Sequence, residues 1–342
     1  MMSTLKGHIT FAAARAQQPA ALRGAIEQLG RDVADRRSEG WFRGHGPIFV
    51  AIGASHAAAC APTWTLRARG IHAWRLGAGD HPLPFPVSGH PLVAVSQSGR
   101  SAETLAVLES VDPHLRYSVT NVHPSPIAAV AQRHLSLGGL ADSYASTVGY
   151  TATIAGLGMI AEAWDDGTVD PSWARLPEHL HDLEEALASR ADALAEPFAG
   201  VRAADFVGGG PSAGSAEAGA LLFRETVRLP AAAMSTRQYL HGAMESAGGT
   251  VHVLFGDQRE IELAHTLAGA RHPVVLVTTE QVEPGPDLQV VGLPAVPPSQ
   301  RAVLEAVVLQ TLVASTAAQA GIDIEEFVFD NADTKVPAEA SR

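Results

Sequence analysis

VAVSQSGRSAETLAVLE, residues 93–109, is the stretch that decides the fold. It opens on an apolar run, Val93 to Val95. Ser96, Gln97, Ser98, Gly99, Arg100 and Ser101 follow without a break, and Leu105, Val107 and Leu108 then recur at a spacing that a helix can bury. A buried strand that runs straight into a helix leaves the helix's first N–H groups unpaired, with the positive end of its dipole aimed into the turn. Hydroxyls and a glycine at that point make a small polar cup whose natural guest is an anion, most often phosphate. The turn is neither a P-loop, since no Gly-Lys-Ser/Thr follows, nor a GxGxxG fingerprint. An ordinary N-cap needs one hydroxyl, and Ser101 supplies it alone. The remaining serines, with Gln97 and Gly99, point to an anion site.

Composition sets the frame. A chain of 342 residues suggests about two domains, and 46% hydrophobic residues allow a sizeable core. A net charge of −12 argues against nucleic acid or an anionic membrane as partner. A phosphorylated small molecule needs only a local positive field. The single cysteine, Cys60, rules out an intrachain disulfide and fits a reducing cytoplasm. The first residues show no signal-peptide pattern, and no stretch offers about 20 uninterrupted apolar residues, so no membrane span is expected.

The chain reads as one pattern written twice. Ala20 to Arg37 reads as a helix with Pro19 placed where a first-turn proline is tolerated. A strand over Pro47–Ile52 ends in Gly53-Ala54-Ser55-His56, and a helix over about Ala57–Arg69 follows. Next come a strand Leu92–Ser96, the serine turn and its helix. They are followed by a strand Tyr117–Asn121, a short helix Pro126–Gln132, a strand His134–Leu137 and a long helix Ala145–Trp164. Alternating strands and helices predict a parallel sheet covered on both faces. Asp165 to Pro197 changes character and reads as a connection. His179 and His181 lie there beside Asp182 and Glu184, but residues two apart on a helix do not share a face. The pattern predicts a solvated helix, and no metal or cofactor is expected.

Ala204–Ser212 then echoes Ile48–Ser55. A helix Ala216–Arg224, strands Thr250–Phe255, His272–Thr278 and Gln289–Leu293, and a helix Pro298–Ala320 complete a second copy. The expected divisions are an N-terminal segment 1–25, a first unit 26–165, a connection 166–197, a second unit 198–324 and a tail 325–342. The turn after Phe255 reads Gly256-Asp257-Gln258-Arg259-Glu260, with two carboxylates and no hydroxyl. Only the first copy is expected to hold an anion.

Ser96-Gln97-Ser98-Gly99-Arg100-Ser101-Ala102-Glu103-Thr104 resembles the phosphosugar-binding motif of the sugar isomerase (SIS) domain family. Gln17-Gln18-Pro19-Ala20-Ala21-Leu22-Arg23 is similar to that family's opening segment. Ile52–His56 resembles its Gly-x-Gly-x-Ser turn, Val119-Thr120-Asn121 its strand end, and Tyr144-Ala145-Ser146-Thr147 its Val-Ala-Ser-Thr. In the second copy, Ala220–Glu225 resembles Ala-Leu-Lys-Leu-Lys-Glu and His241-Gly242 resembles His-Gly-Pro, at the family's spacing between Glu and His. The tail Asn331–Val336 is similar to Asn-Leu-x-Lys-x-Val. The likeness covers nearly the whole chain. It implies an α/β fold of two tandem SIS domains, each a parallel, flavodoxin-like sheet sandwiched by helices and related by a pseudo-two-fold.

The resemblance also implies an aldose–ketose isomerase of sugar phosphates, or an aminosugar-6-phosphate deaminase or deglycase, working through an enediol or enolamine. Ser55, Ser96, Gln97, Ser98, Ser101 and Ser146 would hold the substrate and its phosphate. Glu225 would be the base and His241 the group that opens the sugar ring, supplied across a homodimer whose subunits share the site. Lys335 would stand on the tail near the reactive end. A carboxylate in a partly dry pocket suits the first role and a histidine the second. The sequence holds no counterpart of the related synthase's glutaminase half, so glutamine is not an expected nitrogen source. Ala141, Val148, Leu222 and Ala243 stand where the family often has Glu, Lys, Lys and Pro. A non-catalytic sugar-phosphate sensor is the competing reading.

Overall fold

Among the described residues, ten strands and the helices between them repeat one order. In the first unit β1 (Ile48–Ala51), β2 (Trp74–Gly77), β3 (Leu92–Ser96), β4 (Arg116–Thr120) and β5 (Arg133–Ser136) form a parallel sheet in the order β2-β1-β3-β4-β5. In the second, β6 (Ala203–Gly208), β7 (Ala231–Ser235), β8 (Thr250–Phe255), β9 (Val274–Thr278) and β10 (Leu288–Gly292) form another, ordered β10-β9-β8-β6-β7. Counted from its own first strand, the second sheet has the topology of the first. This computed structural model describes residues 8–329 and 331–337. The outer ends of the expected N-terminal segment and tail lie outside them.

The helices of the first unit are α1 (Phe11–Ser38), α2 (Ala54–Ala58), α3 (Cys60–Ala68), α4 (Ala102–Glu109), α5 (Pro126–Val130) and α6 (Val148–Ala163). Between the units run α7 (Leu176–Ala188) and α8 (Ala191–Ala195). The second unit carries α9 (Ala213–Leu222), α10 (Thr236–Leu240), α11 (Arg259–Gly269) and α12 (Pro298–Ala320).

Strand alternation explains the packing. Phe49, Ala51, Val93 and Val95 face inward to a large core that also holds Leu157, Trp164, Phe206 and Leu304. Ile48, Val50, Leu92 and Ala94 face outward under Val107, Leu108 and Ile127. That is the period-two split of a sheet buried on both faces. The inner core runs through both units, and Trp173, Leu180 and Leu187 of the connecting segment belong to it. Buried Gln18 of α1 and Gln310 of α12 exchange side-chain hydrogen bonds at 2.9 and 3.2 Å across this core. α12 is long and apolar enough to cross a membrane by length and composition, yet 78% of its apolar window is buried in the molecule.

Some expectations change. The first helix begins at Phe11, capped by Thr10 Oγ1 accepting from Ala13 N at 3.2 Å, so Pro19 lies inside the helix and not in its first turn. Burial of Phe11, Ala14, Gln18, Leu22 and Leu29 along one face offsets the proline's missing donor. The expected helix after β1 is two helices, α2 and α3. The strands β2 and β7 are additions.

Candidate functional site

The site begins where the strand order reverses. In both sheets the first and third strands are neighbours whose following segments leave in opposite directions, which opens a crevice at their C-terminal ends. In the first unit that crevice receives Ser55 in α2, after β1, and the serine turn after β3. Ser96 is buried, with its Oγ 3.1 Å from Ser101 Oγ. Ser98 Oγ accepts from Arg100 N at 3.3 Å. Gly99 holds φ +61°, and a Cβ there would overlap the Ser125 side chain, so both backbone and space demand glycine.

Gln97 is also engaged within the protein. Its Nε2 donates to Gly149 O at 2.6 Å and to Thr153 Oγ1, so the side chain braces α6 against the turn. Gly149 makes room for it, since a Cβ there would lie 2.6 Å from Gln97 Oε1. Ser146 donates to Asp142 Oδ2 at 2.6 Å. The same carboxylate accepts from Thr147 N, Thr147 Oγ1 and Gly149 N at 3.0, 2.7 and 2.9 Å. Asp142 therefore satisfies the start of α6, beside the Ala141 that marks a departure from the family pattern.

The tail reaches the cup. Lys335 forms an antiparallel bridge with Ser101, Val336 N donates to Arg100 O at 2.9 Å, and Arg100 Nε donates to Val336 O at 2.7 Å. Lys335 thus stands at the rim of the serine turn, with its side chain exposed.

Glu225 comes from the second unit. It sits on a π-helical turn, Phe223–Val227, that ends α9 and is followed by Arg228 at φ +59°. Such turns, and left-handed non-glycine residues, concentrate at functional positions. Glu225 lines a small, mainly apolar cavity with Ala54, Ser146, Tyr150, Leu222 and Gln310, so two of the expected groups and the neighbour of Ser55 share one space. Among the described residues it has no ion pair or side-chain hydrogen bond. Its side chain is accessible to solvent, yet the protein around it disfavours the charge and raises the carboxyl above its ordinary range. A carboxylate tuned upward and held in no ion pair is suited to take a proton.

His241 stands apart. Helix α9 brings Glu225 back to the N-terminal edge of the second sheet, whereas His241 follows the C-terminal end of the next strand, β7, as the cap of α10. The five-residue β7 alone spans about 16 Å. Within one chain the two residues occupy opposite ends of a sheet.

A charged cluster that the sequence did not reveal ties the units together. Arg75 of β2 grips Glu217 of α9 through both terminal nitrogens, one at 2.6 Å, and His56 Nδ1 lies 3.7 Å from the same carboxylate. Burial alone would raise Glu217, but hydrogen bonds from His56 and Arg75, and the charge of Arg75, outweigh it and pull the carboxyl down to about 2. Gly214 allows α9 to approach this closely: a Cβ there would lie 2.5 Å from Ala57 O. Ser55 sits beside His56 and inherits this support.

The equivalent crevice of the second unit keeps an open cavity of about 460 Å³ between the turns Gly209–Ser212 and Gly256–Glu260, but carboxylates stand at its strand ends. The Glu260 carboxylate packs over Gly209 and Gly256, and Arg301 is held by Asp257 and by Glu305, the latter at 2.8 Å.

Solved structures share this architecture. The chain has the tandem SIS fold. The C-terminal domain of glucosamine-fructose-6-phosphate aminotransferase from Francisella tularensis superposes with a TM-score of 0.77 at 20% identity, covering 94% of this chain and 99% of that one. Tagatose-6-phosphate ketose/aldose isomerase from Escherichia coli gives 0.75 at 16% identity, over 94% and 96%. Glucosamine-6-phosphate deaminase from Thermotoga maritima gives 0.75 at 17% identity, over 93% and 97%. No protein-family model and no curated protein matches the sequence.

Proposed function

We propose that this chain is an enzyme of sugar 6-phosphates, an aldose–ketose isomerase or an aminosugar-phosphate deaminase or deglycase. Ser96, Ser98 and Ser101 at the start of α4, with Ser55 opposite, hold the phosphate. The other end of the sugar extends toward Glu225, which takes a proton from the carbon next to the carbonyl or iminium and returns it to the neighbouring carbon. Lys335 stabilises negative charge developing at that end. His241 acts from a second copy of the chain, because the fold separates it from the Glu225 of its own chain. The observation that supports this reading is an unpaired, upshifted carboxylate, Glu225, sharing a small cavity with Ser146 and with Ala54, the neighbour of Ser55, while the tail bridges the serine turn at Ser101.

The test is a panel of sugar 6-phosphates and amino-sugar 6-phosphates, scored for ketose formation and for ammonia or amine release. Turnover of at least one is expected, with Ser96→Ala/Ser98→Ala weakening binding by more than tenfold, since each hydrogen bond to a charged group contributes about 1.5–3 kcal/mol. Light scattering should show a dimer, and a fully active monomer would remove the shared site. Leu222 and Val148 put apolar side chains where the resemblance leads one to expect lysines, and this favours the sensor reading as the second choice. Tight binding of sugar phosphates with no turnover of any would establish it.

A further inference from the structure

The second sheet has its own crevice, and the reaction proposed above leaves it unused. Its first and third strands, β6 and β8, lead into the turns Gly209–Ser212 and Gly256–Glu260. The cavity of about 460 Å³ between them falls in the range of small-molecule sites. All but one of its lining residues belong to the second unit. The exception is Trp64 of α3, in the first unit, which is 47% exposed. Its ring lies over Gly210, where a Cβ would come within 3.3 Å of it. An indole left open beside a polar cavity offers a flat apolar face and a polar edge.

Three polar groups on this cavity have no full set of partners. Glu260 is 6% exposed, and among the described residues its carboxylate makes no hydrogen bond or ion pair. Thr236 is 4% exposed, and its Oγ1 has no partner. Arg301 spends Nε on Glu305 and Nη1 on Asp257, which leaves Nη2 buried without an acceptor. A buried polar group without a partner costs stability. An acceptor and two donors left open on one cavity mark a place for a ligand that completes them.

The mixture of groups selects the ligand. An anion would meet Asp257 and Glu260, and a cation would meet Arg237, Arg259 and Arg301. A hydroxyl suits both, because it donates to a carboxylate and accepts from a guanidinium or another hydroxyl. Several hydroxyls on a ring with one C–H face for the indole describe a neutral sugar. We infer that this crevice binds an unphosphorylated pyranose. Its hydroxyls donate to Glu260 and accept from Arg301 and Thr236, and its apolar face covers Trp64. The site is separate from the serine turn and does not depend on the reaction proposed there. Trp64 comes from α3 and the other partners from the second unit, so a bound sugar bridges the two units.

The experiment is calorimetry of the full chain with glucose, galactose, mannose and N-acetylglucosamine, and with inorganic phosphate as the anionic probe. At least one of the sugars should bind with a Kd of about 10 mM or tighter. Its affinity should be unchanged in Ser96→Ala/Ser98→Ala. In Glu260→Gln it should weaken by about tenfold or more, the loss of one hydrogen bond to a charged group. Trp64→Ala, at a half-exposed position, should weaken it similarly and keeps the test decisive where Glu260→Gln fails to fold. Binding of none of the sugars overturns the inference. So does binding that is lost in Ser96→Ala/Ser98→Ala and kept in Trp64→Ala, which would place the sugar in the first crevice. Phosphate binding that survives the serine changes and is lost in Arg237→Gln would make this an anion site and overturn it as well.

Discussion

Replacing Gly99 by alanine tests the shape of the cup. Gly99 occupies φ +61°, where an alanine costs roughly 1–2 kcal/mol. Its added Cβ would also overlap the Oγ and Cβ of Ser125. Ser125 is 7% exposed and its Oγ has no partner, so it has nowhere wet to retreat and no bond holding it in place. Overpacking of this kind costs a further ~1–3 kcal/mol. The sum is a loss of about 2–5 kcal/mol in Gly99→Ala, read as a shift of the urea midpoint at constant slope. Removing the obstacle separates the two causes. In Gly99→Ala/Ser125→Gly the steric part should return, leaving the backbone part, with a coupling of about 1–3 kcal/mol between the sites. A Gly99→Ala protein within 0.5 kcal/mol or so of wild type would refute the geometry assigned to the turn. Full loss with no rescue by Ser125→Gly would show that the clash is not its cause.

Two further outcomes follow from the charged groups. Glu217→Gln should cost about 1–3 kcal/mol, because it leaves Arg75 half-buried without its partner. The folded carboxyl lies near 2 against an ordinary 4.5, so the wild-type advantage should be complete above about pH 4.5 and fade as the pH falls toward 2, checked by melting both proteins across that range. His134 and His252 are both depressed to about 4, by burial first and then by His123 and His272 respectively. The unfolded chain therefore binds more protons than the folded one between pH 6.5 and 4. Stability should be complete above 6.5 and fall as acid is added, by up to about 1.4 kcal/mol per pH unit for each histidine. His134→Gln should flatten the urea-midpoint profile, and an unchanged slope would contradict the assignment.

Much of this arrangement was legible in the sequence because the central strands are buried on both faces. Leu92–Val95 and Val274–Val277 are continuous apolar runs with turn residues behind them, the pattern of a strand covered on both faces. The helix Pro298–Ala320 was readable from its proline start and Gly321 stop. The edge strands were not. Trp-Arg-Leu-Gly of β2 and Ala-Ala-Ala-Met-Ser of β7 are only partly buried, and neither carries the β-branched residues that mark a strand. Missing β2 hid Arg75 and with it the clamp on Glu217. Missing β7 hid the length of sheet between Glu225 and His241, so a short sequence spacing concealed a large distance. The turn motif identified Gln97 as a ligand contact because motifs record residue types. Only packing shows that its amide nitrogen also braces Gly149 and Thr153.

The central claim is that Glu225 moves a proton on a sugar held by the serine turn, and deuterium incorporation tests it most directly. Wild type in D₂O with a turned-over sugar 6-phosphate should place deuterium at C1 or C2, followed by NMR. Glu225→Gln keeps the shape of the side chain and should bind the same sugar phosphate with nearly unchanged affinity. Its rate of incorporation should fall by about 10²–10⁴-fold, the contribution of a positioned general base. Incorporation at the wild-type rate in Glu225→Gln would contradict the account.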